Sequence, residues 1–140
     1  MKKLTILPIR IYPALRELGV LAVYLFGSFA EGAHTTQSDI DVGILMRDAT
    51  MVSHGTSTHT LYQTLYTLFE PILLPYAQEM DIVFLQRASL ELQAHVVQQG
   101  RVIFETNPSL RLDFEERTML LYADFAPLRY EFDQAVLAKI

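Results

Sequence analysis

Two aspartates one residue apart, Asp39 and Asp41, head the apolar run "DIDVGILM". Residues i and i+2 of a β-strand project to one face, ~6.5–7 Å apart along the chain, so the two carboxylates stand together while Ile40 turns the other way into a core. Parallel carboxylates repel, and each raises the other's pKa unless a cation lies between them. Hard oxygen ligands with no His or Cys beside them favour Mg2+, which takes one or two carboxylates and leaves room for phosphate oxygens. A third acid, Asp81 in "EMDIVFL", sits near the start of another short apolar stretch, where an aspartate is unfavourable for β structure. If that stretch pairs beside the first, Asp81 joins the cluster, as a metal ligand or as acceptor of a proton from an attacking hydroxyl. Glu79, two residues earlier, is the substitute for it.

The segment before the paired acids, "LFGSFAEGAHTTQS", supplies what a polyphosphate needs. Gly27 permits a tight turn after a buried strand, and Ser28 offers both a hydroxyl and a backbone N–H. A turn whose N–H groups converge cradles phosphate. Gly32 adds a second flexible point, and Ser38 fixes the loop next to the acids by a local hydrogen bond. Phosphate binder and metal binder thus lie at neighbouring strand ends, which is the geometry for holding a triphosphate against Mg2+.

The elements that must position these groups follow from pattern. Pro13 suits a first helical turn and Gly19 a helix stop, with a short helix between them. The run 20–26 reads as a fully buried strand, and 39–46 as the second. After a polar loop over 50–60, Leu61, Leu65, Leu68 and Ile72 recur at helical spacing, which predicts a helix over 58–74. Residues 80–85 form the third strand. Ser89 caps a helix that Gly100 ends in the manner of a C-terminal glycine, and 101–105 is the fourth strand. Beyond Asn107 and Pro108 the chain is helical, with a bend expected near Pro127. Phe114, Leu121, Phe125, Leu128 and Phe132 share one stripe of that helix; Met119, Ala126, Tyr130 and Leu137 lie nearly opposite. Two stripes imply burial on two sides, by the domain and by a partner, or a break at Pro127 that turns each half differently. The expected fold is α+β, a small mixed sheet covered by helices, in one domain over 1–140. Residues 1–106 would be the catalytic core, and 107–140 a helical segment that offers a partner-docking surface.

Composition narrows the function classes. Among 140 residues there is no cysteine, which excludes disulfides, thiolate metal sites and cysteine nucleophiles. No apolar run reaches membrane-span length, and no targeting signal stands out, so the cytoplasm is the expected compartment. Sixteen acids against eleven bases give a net charge of −5, which disfavours nonspecific nucleic-acid binding. The four histidines, His34, His54, His59 and His95, fall at no zinc spacing. His34 could touch nucleotide from the loop, and Arg47 could touch phosphate. Ser28 is not the nucleophile of a G-x-S-x-G elbow.

"GSFAEGAHTTQSDIDV", with Asp81 downstream, resembles the signature of the minimal nucleotidyltransferases of the DNA polymerase beta superfamily. The tail "QGRVIFETNPSLRLDFEERTMLLYADFAPLRYEFDQ" is similar to that of members acting as antitoxins beside HEPN-domain toxins. The resemblance implies transfer of AMP from ATP, with two Mg2+ ions, to a tyrosine of a partner HEPN ribonuclease. It places Gly27, Ser28 and Ser38 on the nucleotide and Asp39, Asp41 and Asp81 on the metals. Where relatives of the form GSFARG carry a basic residue this chain has Glu31, whose side chain is expected to turn to solvent. The residues alone leave two other readings open: a transferase for a small-molecule alcohol, and a catalytically silent module that neutralises a toxin by masking it.

Overall fold

A computed structural model describes residues 6–27 and 39–138. Four strands form one sheet: β1 (Val20–Phe26), β2 (Ile40–Met46), β3 (Met80–Phe84) and β4 (Arg101–Glu105), in the order β3-β2-β1-β4. β1 is antiparallel to both neighbours and β2 is parallel to β3, a mixed sheet. The parallel pairing needs a crossover. α2 (Gly55–Leu73) provides it, and α1 (Tyr12–Glu17) packs on the same side. α3 (Leu90–Gln99) and α4 (Pro108–Ala138) cover the other side.

The central strands bury both faces, which is why β1 is apolar without alternation. Val23, Leu25, Ile40, Val42 and Ile44 meet Leu65, Phe69 and Leu73 of α2 in one core layer. Tyr24, Phe26 and Leu45 meet Val96 of α3 and Phe114 of α4 in the other. α4 is moored at its root by Arg111, which pairs with Glu105 of β4 and with Glu115 one turn on.

Three expectations are corrected. α2 begins at Gly55, before the expected residue 58, because Thr58, Thr60 and Thr64 return their hydroxyls to carbonyls four residues back. A threonine-rich stretch that reads as loop is thereby satisfied within a helix. Gly100 ends α3 with an ordinary φ of −75°, not a left-handed cap. Its missing side chain matters because a Cβ there would run into the Val96 carbonyl. Third, α4 continues through Pro127 as one helix of 31 residues. The carbonyl of Ala123, which Pro127 leaves without its usual donor, lies on an exposed stretch where water can serve it. Among the described residues no helix is long and apolar enough to cross a membrane.

Candidate active site at the carboxylate end of the sheet

β2 turns Ile40 and Val42 into the α2 core, so Asp41 projects to the opposite face, the one that α3 and α4 cover. The parallel register sets Asp41 directly beside Asp81 of β3. Directly paired residues of neighbouring strands share a face, ~4.8 Å apart. Asp39, two residues before Asp41, is exposed at the strand's entrance, and Asp81 is exposed as well. Partial burial pushes the Asp41 carboxyl up, and the charges of Asp81 and then Asp39 push it further. The three sequence-predicted acids are therefore brought to one place. Among the described residues no three such side chains are closed to metal-ligand spacing. A small, hard cation between mutually repelling carboxylates would offset their repulsion. The donor set is all oxygen, which fits Mg2+. Glu79, the substitute candidate, is exposed, and its carbonyl accepts from the N–H of Ile40, which anchors the β2–β3 register.

Gly27 follows directly on β1 with φ +74°, a left-handed conformation open to glycine at little cost. A second constraint is tighter. A Cβ at Gly27 would collide with the carboxylate of Asp41. The exit turn of β1 thus passes so close to the acid that only a glycine leaves the carboxylate its place. Ser28, Glu31, Gly32, His34 and Ser38 lie outside the described residues.

Sequence reasoning missed one neighbour. His95 of α3 stands edge-on to Phe26, with ring centroids 6.5 Å apart, and Phe26 is the strand partner of Asp41. No spacing in the sequence could signal a contact between residues so far apart in the chain. A cleft of about 590 Å3 lies between α1 and α2, lined by Arg10, Glu17, Thr64 and Leu68 among others. It is on the far side of the sheet from the three acids, and the chemistry argued above does not use it.

The comparisons bear on this arrangement. The profile of the family described as Polymerase beta, Nucleotidyltransferase matches residues 11–109, which contain all four strands and all three acids. The chain belongs to this nucleotidyltransferase family. It is 28% identical over 116 residues, 83% of its own length and 76% of the relative's, to the protein adenylyltransferase MntA of Shewanella oneidensis. Among solved structures it is similar to a chain of a toxin–antitoxin complex with AMP-PNP, at a TM-score of 0.67 and 27% identity, covering 91% of this chain and 96% of that one. It is also similar to a chain of the tri-AMPylated Shewanella oneidensis HEPN toxin in complex with MNT antitoxin, at a TM-score of 0.62 and 25% identity, covering 91% and 93%. The nucleotidyltransferase fold expected from the sequence is the fold observed.

Proposed function

We propose that this nucleotidyltransferase is the antitoxin of a HEPN/MNT pair, which transfers AMP from ATP to a tyrosine hydroxyl of its partner HEPN toxin and so neutralises it. The observation that carries the reading is the in-register pairing of Asp41 with Asp81 on one sheet face, with Asp39 beside them. The named activity of MntA and the AMPylated toxin in a similar complex support the substrate class. The complex with AMP-PNP supports ATP as donor.

Asp39, Asp41 and Asp81 would hold Mg2+, two ions in the proposed scheme. Bound there, the metal supplies Lewis-acid stabilisation of charge on the phosphate oxygens. The chain's own residues do the rest. Gly27, Ser28 and Ser38 would hold the triphosphate. Asp81 accepts the proton of the acceptor hydroxyl. The tyrosine oxygen bonds to the α-phosphorus, the bond from that phosphorus to the oxygen bridging to the β-phosphate breaks, and pyrophosphate leaves. Orientation of donor against acceptor supplies much of the acceleration. In this scheme residues 1–106 act as the catalytic core, and the acceptor hydroxyl is presented by the partner.

The test is incubation with Mg2+, ATP labelled at the α-phosphate, and a HEPN-domain toxin as acceptor. Label on the partner that disappears in Asp39→Ala/Asp41→Ala is the expected result. Neutralisation without label, unchanged in that variant, would hand the case to masking. Label on a small-molecule alcohol alone would point to the other transferase reading.

A further inference from the structure

α3 lies on the face of the sheet that carries Asp41 and Asp81, with Val96 turned into the core beneath it. His95, ~100° round the helix from Val96, is exposed. Its ring stands edge-on to Phe26, and Phe26 is both the strand partner of Asp41 and the residue before Gly27. Among the described residues its ring nitrogens make no hydrogen bond, and the charges acting on Asp41 are those of Asp81 and Asp39. The imidazole therefore sits over the β1 side of the acids with its nitrogens uncommitted.

Charge singles it out. A triphosphate and three carboxylates together outweigh the charge of two Mg2+, and the segment 28–38 contains no lysine or arginine. The other described basic side chains are turned away from the acids or already paired. Arg10 and Arg16 lie by α1, and His54 and His59 at the start of α2, on the far side of the sheet. Arg47 and Arg117 line a cleft with Met46 at the opposite end of the strands, and Arg87 follows the far end of β3. Arg111 and Arg129 are taken by carboxylates. Arg101 begins β4 at the acid end, yet its register partner Leu25 faces the α2 core.

We propose that His95 is a further catalytic residue of this site, whose imidazole N–H donates a hydrogen bond to the departing pyrophosphate. The inference rests on the nucleotidyl-transfer reading and adds a residue to it. The order of the strands gives the direction. Asp81 on β3, as acceptor of the hydroxyl proton, puts the attacking oxygen on the β3 side of Asp41. In an in-line displacement the leaving group is opposite the attacker. Pyrophosphate therefore departs over β1, where Gly27 follows Phe26 and His95 stands on the Phe26 ring. The electron pair of the broken bond stays on the oxygen that bridged to the β-phosphate, and charge grows there. A donor fixed at that place favours the transition state over the bound triphosphate. Phe26, itself only 6% exposed, supplies the fixed surface against which the imidazole rests.

The experiment pairs the rate of AMP transfer to a HEPN-domain toxin with calorimetric binding of pyrophosphate and of AMP, each with Mg2+, to the full-length chain. Thermal unfolding controls for the fold. His95→Ala is expected to lower kcat about 100-fold with the KM for toxin unchanged. It is expected to weaken pyrophosphate about tenfold and to leave AMP within twofold of wild type. His95→Phe keeps the ring contact without the donor and should match His95→Ala. His95→Gln keeps an N–H and should recover part of both losses. Pyrophosphate affinity within twofold of wild type in His95→Ala overturns the proposal. So does recovery by His95→Phe, which would make the residue a packing element, and so does transfer by wild type without measurable pyrophosphate binding. A wild-type chain that binds pyrophosphate through His95 yet labels no toxin sinks the transfer reading and leaves the contact standing. Equal labelling of the toxin by wild type and His95→Ala does the reverse. A wild-type chain that neither binds pyrophosphate nor transfers AMP removes both.

Discussion

Replacing Asp41 by Asn should make the metal-free protein more stable. Asp41 faces Asp81 across ~4.8 Å of parallel pairing and Asp39 across ~6.5–7 Å of strand. Both partners are exposed, so the dielectric of water is the proper limit. It gives about 0.9 and 0.6 kcal/mol of repulsion. Screening at physiological salt roughly halves the sum to about 0.7–0.8 kcal/mol. Partial burial of Asp41 adds to the cost of its charge, which brings the expected gain to about 1 kcal/mol, or roughly 3–4 °C in Tm for a chain of this size. The pH dependence has a definite sign. The folded protein holds the Asp41 proton more tightly than the unfolded chain, whose carboxyl titrates near the usual 3.8. Stability is therefore full below that value and is lost as pH rises through the raised folded pKa. The variant's advantage should be absent in acid, complete at pH 7, and smaller at high salt. The assay is thermal unfolding in EDTA, then in Mg2+, which should raise the Tm of wild type more than that of Asp41→Asn. A variant no more stable than wild type at pH 7, low salt and EDTA would refute the clustering of charge.

Other substitutions separate the site from its scaffold. Gly27→Ala forces a left-handed alanine and displaces the Asp41 carboxylate. We expect a loss of about 1–2 kcal/mol in stability, together with a fall in transfer rate that Gly27→Asn, tolerant of the backbone angle, does not rescue. Arg111→Ala leaves Glu105 and Glu115 without their shared cation at the root of α4; the residual solvent access of these largely covered side chains limits the cost to about 1–2 kcal/mol, read by denaturant unfolding. Among the described residues the buried Tyr24 hydroxyl has no hydrogen bond of good geometry, and burial, with Glu115, pushes its ionisation far up against the opposing pull of the nearby Arg111 guanidinium. Tyr24→Phe should be neutral or stabilising by up to about 1 kcal/mol, and a loss larger than that would show that the hydroxyl is bonded after all.

Much of this was legible from residue order, for physical reasons. Period-two placement of Asp39 and Asp41 fixes their common face wherever the strand is buried, and Ile40 and Val42 made that burial evident. Ser89 announced the start of α3, where it accepts from the N–H of Leu92. Contacts set by tertiary approach were not legible. Gly27 reads as a turn residue, yet its nearness to Asp41 is a property of two strands side by side. The Arg111 network and the ring contact of Phe26 with His95 likewise join elements whose adjacency no local pattern encodes. Pro127 misled for a different reason: a proline disrupts a helix least where water can replace the lost bond.

We propose that the β2–β3 register makes Asp81 a working member of the site. Its most direct test is the rate of AMP transfer to the toxin by Asp81→Asn, at concentrations where the complex is fully formed. A fall of at least about 100-fold, with toxin affinity unchanged, is predicted. A rate close to wild type would show that Asp81 takes no part in the transfer.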